Sequence, residues 1–385
     1  MKQVLSKHIN LSNPVYLDYN ATTPVDPRVV EKMLPYLLEH FGNPSSAHDY
    51  GVQTRKAVQK ARQQVANLIN CEPEEIVFTG SGTESNNHAL RGYAFAHRKD
   101  GNHIITTAIE HPAILKVCEY LKNQGFEITV LPVDKYGLVD PKDVENALKL
   151  TTILISVMHA NNEVGTIQPI KEISEIAHQH QVALHCDAAQ SVGKIPVDVQ
   201  DLGIDLLSIA GHKLYAPKGV GALYIRTGIE LEKFMLGGGQ ENERRAGTEN
   251  ILEIVGLGKA AEIAGESIER EMLHNRKMRD LLWEGIRAEF PDVKLNGHPE
   301  RCLPNTLNVS FPGLDEFTLL EVFVDIAASA GAACHSDNIS ISTVLQAMKV
   351  PLEYARGTIR FSTGRFTTEQ HILDALKKLI STIKM

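Results

Sequence analysis

Lys213 closes the run Leu206-Leu207-Ser208-Ile209-Ala210-Gly211-His212-Lys213, and its place in that run suggests its chemistry. Five residues of strand character end at a glycine, which predicts a lysine at the carboxyl end of a strand, where open α/β sheets bind ligands. A lysine partly withdrawn from water there loses some of its preference for the charged form, and the neutral amine can add to a carbonyl to form a Schiff base. A second buried-strand pattern, residues 182–186, ends in Asp187-Ala188-Ala189-Gln190 and so predicts a carboxylate at another strand end. A carboxylate beside a pyridine nitrogen keeps that nitrogen protonated, which is what makes pyridoxal phosphate an electron sink. Taken singly, Lys213 is one of 39 lysines and arginines and reads as a solvated loop residue; the pairing with Asp187 favours the chemical reading.

Other residues of chemical interest fall at similar places. Gly80-Ser81-Gly82-Thr83-Glu84-Ser85 follows a strand expected at 76–79 and precedes a helix expected at 86–97. Strand, glycine-rich turn and helix start bring free N–H groups and a positive dipole end to one spot, which suits a phosphate, although the motif matches neither the Walker nor the dinucleotide pattern. His111 sits after a strand expected at 104–108, and Asn162 lies in turn chemistry after one expected at 152–158. Arg360, in GTIRFSTGRFT, has the planar fork that clamps a carboxylate. Cys334, in SAGAACHSDNISIS, lies in a small and polar run that predicts a mobile loop rather than a packed element.

Strands and helices alternate through the first two thirds of the chain, predicting a mostly parallel sheet with helices on both faces. A helix expected at 251–288 is far longer than its neighbours, and beyond it short strands at 293–295, 306–311 and 358–362 alternate with helices at 316–323, 341–347 and 368–383. The expectation is an α/β protein of two domains, residues 21–258 forming a large one and residues 1–20 with 259–385 a smaller α+β one, with the site in the cleft between them. The 385 residues are 43% apolar, enough for a sizeable core, and the net charge of −8 gives no electrostatic footprint for nucleic acid or an anionic membrane. MKQVLSKHINLSNP lacks the apolar run of a signal peptide and no stretch suggests a membrane span, so a cytoplasmic protein is expected. The five cysteines lack the spacing of a metal site or disulfide framework.

YLDYNATTP at 16–24, GNPSSAH at 42–48, MHANNEVG at 158–165, DAAQSVGK at 187–194, GHKLYAPKGVGALY at 211–224 and GGGQ…RRAGTEN at 237–250 together resemble the cysteine desulfurases and selenocysteine lyases. These are pyridoxal-phosphate enzymes of the aspartate-aminotransferase fold type, fold type I. The resemblance runs from residue 16 to about residue 370. It implies that Lys213 carries the cofactor, that Asp187 protonates its ring nitrogen, that Gln190 bonds its phenolic oxygen and that His111 stacks on its ring and moves protons. It further implies that Gly82, Thr83 and His212 hold the phosphate, that Asn162 contacts cofactor and substrate, and that Arg360 receives the substrate carboxylate. Thr248 would reach the phosphate of a partner subunit, making the protein a homodimer. Family members commonly have serine or threonine where Ala210 stands, so one phosphate hydrogen bond is expected to be missing.

The activity so implied is removal of sulfur or selenium from L-cysteine or L-selenocysteine to leave L-alanine, with Cys334 accepting the sulfur as a persulfide for a sulfur-acceptor or scaffold protein, as in iron–sulfur cluster assembly. His335 would lower the thiol pKa of Cys334. A dedicated selenocysteine lyase is the alternative, which the AGAACHSD run favours and Pro112 after His111 opposes. A transaminase or decarboxylase on the same fold, or a binding module that has lost activity, is a further reading from another class.

Overall fold

The computed structural model describes residues 14–314, 316–335 and 338–384, except for the side chains of residues 316, 332–335 and 338–340. After a two-residue strand, β1 (Val15–Tyr16), the chain forms β2 (Ile76–Thr79), β3 (His103–Thr107), β4 (Glu127–Leu131), β5 (Thr152–Ser156), β6 (Ala183–Asp187), β7 (Leu206–Ala210) and β8 (Gly221–Ile225). These last seven make one sheet in the order β2-β8-β7-β6-β5-β3-β4, in which β8 alone runs antiparallel to its neighbours. Strands such as TILIS in β5 and LLSIA in β7 are buried at every position because helices cover both faces. Alternate residues serve the two faces: Leu206 packs with Leu90, Tyr93 and Ile114, while Leu207 packs with Val58, Ile173 and Leu257.

The second sheet comes from the last third of the chain. It takes β9 (Lys294–Asn296), β10 (Thr306–Ser310), β12 (Ser329–Ala330) and β15 (Thr358–Ser362) in the order β12-β15-β10-β9, after β11 (Ile326–Ala327) has paired with β1. Val15 and Leu17 join its core with Met278, Leu282, Phe361 and Leu376. Helix Ile251–Glu289, 39 residues long, belongs to both cores: Ile254, Leu257 and Ala261 face the first, and Met278, Leu282 and Ile286 the second.

Three expectations need correction. The glycine-rich segment is not a loop before a helix but the helix itself, Gly82–Ala96, because the Ser81 hydroxyl accepts from the Glu84 N–H at 3.1 Å and starts it four residues early. Helix Ile170–Gln179, between β5 and β6, was not anticipated. The Cys334 run, expected as a loop, has a paired backbone: β13 (Ala332–His335) and β14 (Asn338–Ile341) are antiparallel, with Cys334 opposite Ile339. Asn338-Ile339-Ser340-Ile341 alternates polar and β-branched residues, a strand pattern that the small residues of the other half obscured.

Two glycines of the long helix give opposite expectations for the same substitution. A Cβ on Gly258 would lie 2.5 Å from the Ala61 Cα of helix Asp49–Ile69, whereas one on exposed Gly265 would meet only Leu68 Cδ1 at 3.9 Å. Thermal unfolding should show Gly265→Ala more stable, by about 0.5–1 kcal/mol of helix propensity. Gly258→Ala should be less stable by about 1–3 kcal/mol, since overpacking against backbone exceeds that gain.

Candidate active site

The carboxyl ends of the parallel strands open onto a cavity of about 330 Å³. Its base is assembled strand by strand: Ser81, Gly82 and Thr83 after β2, His111 after β3, Met158 and Asn162 after β5, Asp187 and Gln190 at the end of β6, and His212 and Lys213 after β7. Arg360, from β15 of the second sheet, closes the opposite side. Nine residues singled out in the sequence therefore meet in one space: Gly82, Thr83, His111, Asn162, Asp187, Gln190, His212, Lys213 and Arg360.

Lys213 ends the single helical turn Gly211–Lys213, and its Nζ donates to the carbonyls of Asn20 at 2.5 Å and Ala21 at 2.7 Å. Burial, helped by the charge of Arg360, lowers its pKa to about 8. The amine is thus close to its nucleophilic form at neutral pH. Asp187 is held by the Asn86 side-chain amide at 2.7 Å and the Ala189 N–H at 3.0 Å, two donors that fix its plane and leave lone pairs for a ring N–H. His111 caps helix Pro112–Asn123: Nδ1 accepts from the Ala113 N–H at 3.1 Å, so the neutral ring carries its proton on Nε2. Burial and the Lys213 charge lower its pKa, favouring that neutral form.

The residues fit pyridoxal phosphate. Gly82 and Thr83 occupy the first turn of helix Gly82–Ala96, where N–H groups have no intrahelical acceptor, and the dipole end suits an anion. A Cβ on Gly82 would meet the Ala210 Cβ at 3.0 Å. Ala210 therefore leaves no room for a side chain at residue 82. His212 is pushed down to about 4 by burial and the nearby lysines, and its Nδ1 lies 3.1 Å from the Thr22 hydroxyl.

Arg360 is buried and already partnered. Nη2 donates to Asp18 Oδ1 at 2.8 Å and Ser329 Oγ at 2.6 Å, and Nη1 to the Asn162 carbonyl at 3.0 Å, while Nε, enclosed, has no acceptor among the described residues. A substrate carboxylate would meet a guanidinium oriented by Asp18 and Ser329. Sequence reasoning gave no role to Asn20, Asn86 or Asp18, though Asn20 and Asp18 lie in the YLDYNATTP run. Thr248 is exposed and does not line the cavity. Its loop is anchored: Glu241 is buried, pairs with Arg62 at 2.8 Å and accepts from the Phe78 N–H, with φ of 49°, 53° and 67° at Glu241, Asn242 and Glu243. The Cys334 side chain lies outside the described residues.

The family model of the class-V aminotransferases matches residues 15–375. Cysteine desulfurase IscS of Dictyoglomus turgidum is 48% identical over 379 residues, 97% of this chain and 96% of that one. The chain belongs to the cysteine desulfurase family. Cysteine desulfurase IscS of Methanosarcina thermophila is likewise 48% identical, over 96% of this chain and 93% of its own. Among solved structures, a NifS-like protein superposes with a TM-score of 0.90 at 39% identity, covering 96% of this chain and 99% of its own. SspA in complex with cysteine does so with a TM-score of 0.81 at 38% identity, over 92% and 99%. The fold is that of fold type I, and this desulfurase-family chain is an enzyme. No helix among the described residues is long and apolar enough to cross a membrane.

The depressed pKa of Lys213 makes a measurable claim about the protein without cofactor. Trapping of an aldehyde on Lys213 by borohydride, mapped by peptide mass, should rise with a midpoint near pH 8. Arg360→Ala should move that midpoint upward, because removing a nearby positive charge restores the ammonium.

Proposed function

We propose that the chain binds pyridoxal phosphate on Lys213 and acts on L-cysteine, releasing L-alanine and passing the sulfur to Cys334. The observation that carries this reading is the meeting of a lysine of lowered pKa, a fixed carboxylate, a helix-capping histidine and a buried arginine in one cavity. The relatives' names favour sulfur over selenium. We assign Gly82, Thr83 and His212 to the phosphate, Asp187 to the ring nitrogen, Gln190 to the phenolic oxygen, and Arg360 with Asn162 to the substrate carboxylate.

When bound, the cofactor supplies the electron sink that lets the substrate α-proton leave. Lys213, once released, stands as the base for that proton, its lowered pKa matching the task near neutral pH. His111, neutral with its proton on Nε2, can hand a proton on at the same face. The Cys334 thiolate then forms an S–S bond to the substrate sulfur as the Cβ–S bond breaks. The electron pair left on Cβ takes a proton, a proton returns to Cα from Lys213 to complete alanine, and the persulfide awaits a thiol acceptor, a role for a sulfur-acceptor or scaffold protein. Arg360 keeps the carboxylate fixed throughout, and its partners Asp18 and Ser329 keep Arg360 fixed.

The reading also includes a homodimer in which Thr248 completes the partner's phosphate site. Residues 21–258 would form the cofactor domain, and residues 1–20 with 259–385 the domain carrying Arg360 and Cys334. Mixed dimers of Lys213→Ala and Thr248→Ala subunits should recover activity that neither variant has alone, and a fully active monomer would exclude the shared site.

The decisive assay is release of alanine from L-cysteine and from L-selenocysteine. Lys213→Ala should lose both activities and the borohydride-reducible adduct. Cys334→Ala should lose nearly all cysteine desulfuration yet keep a measurable part of selenocysteine cleavage, selenium being the better leaving group. Equal retention of both activities in Cys334→Ala would remove its role as sulfur acceptor.

A further inference from the structure

The DAAQSVGK run ends at Lys194, a lysine that no step above uses. It is only 9% exposed, and among the described residues no carboxylate pairs with it. Its Nζ instead donates to two side-chain amide oxygens, Gln190 Oε1 at 2.6 Å and Asn20 Oδ1 at 2.8 Å. Burial, with the charges of Lys213 and Arg360 adding to it, pushes its pKa well below the ordinary lysine value. A neutral amine has two N–H bonds, and these two contacts use both.

The contacts fix which way each amide faces. Asn20 Oδ1 also accepts from Asn305 Nδ2 at 3.0 Å, and Asn20 Nδ2 donates to Thr306 Oγ1 at 2.8 Å and the Asn162 carbonyl at 3.2 Å. With Gln190 Oε1 taken by Lys194, its Nε2 gives one N–H to the Asn20 carbonyl at 3.0 Å and has a second in reserve. The reverse orientation would set the Gln190 oxygen against the Asn20 carbonyl, acceptor against acceptor, and leave Lys194 facing an N–H₂ group.

We propose that Lys194 is a positioning residue: by holding the amide oxygens of Gln190 and Asn20, it makes Gln190 present an N–H to the phenolic oxygen of the cofactor. The same grip steadies the Asn20 carbonyl that receives Lys213. The inference rests on the cofactor reading above and gives Gln190 its polarity within it. An N–H donated to that oxygen favours its anionic form, which lowers the pH at which the coloured lysine adduct titrates.

The test is a pH titration of visible absorbance on the cofactor-loaded protein without substrate, for wild type, Lys194→Met, Gln190→Met and the double variant. Each single variant should raise the midpoint by about one pH unit, and the double variant should rise no further than either. A Lys194→Met protein that titrates with wild type would overturn the proposal, as would shifts that add, since those would mark a direct effect of the lysine on the cofactor. Should Lys194→Met fail to fold, as judged by melting of the cofactor-free protein, Lys194→Gln is read by the same two criteria. A wild-type protein with no coloured adduct on Lys213 would remove the cofactor reading itself, an outcome distinct from an unshifted variant.

Discussion

Three basic side chains, Lys194, Lys213 and Arg360, are held out of water within one small region, and the centre is arranged around accommodating them. Burial penalises each charge, and the charges repel one another. The pKa of each lysine is lowered in response. Arginine cannot, so Arg360 requires a carboxylate, which Asp18 supplies. Asn20 joins the three: its carbonyl takes Lys213, its side-chain oxygen takes Lys194, and its amide reaches the Asn162 carbonyl on which Arg360 also rests. Reactivity at Lys213 is therefore a property of the group and not of the lysine alone.

The sheet makes that crowding affordable by bringing the pieces from far apart. Because β3, β5, β6 and β7 run parallel, their carboxyl ends lie along one edge, and residues separated by tens of positions become neighbours there. His111, Asp187 and Lys213 each sit just past or at such an end. The helix starts nearby add N–H groups with no internal partner, so anion-binding capacity and a nucleophile arise on the same side of the sheet.

Much of this was legible in the chain. LLSIAGHK and the run ending at Asp187 announce strand ends because a buried parallel strand must be apolar throughout and must stop at a break. Arg360 was legible from residue type, but its partners were not, since Asp18 and Ser329 reach it from opposite parts of the chain and no local pattern records a contact over 342 positions. Asn20 and Asn86 were hidden for the same reason. An asparagine in a turn-like run looks like turn chemistry until its tertiary partners are seen. The helix start at Gly82 was misplaced because two glycines outweighed the serine that caps it, and the strand character around Cys334 was masked by small residues that carry little pattern of either kind.

Residues 15–20 are threaded into the site and into a core built mostly from the far end of the chain. Val15 pairs with Ile326, Leu17 packs beside Phe361, the Asn20 N–H bonds the Ser362 hydroxyl, and the Asn20 amide bonds Thr306. During synthesis these residues emerge first and must wait for nearly the whole polypeptide before they find their partners, a closure over some three hundred residues that is slow by its nature. Until then Asn20 cannot receive Lys213, and Arg360 does not yet exist to depress it. A chain that stops short of β15 therefore lacks the Arg360 charge that adds to burial in lowering the Lys213 pKa.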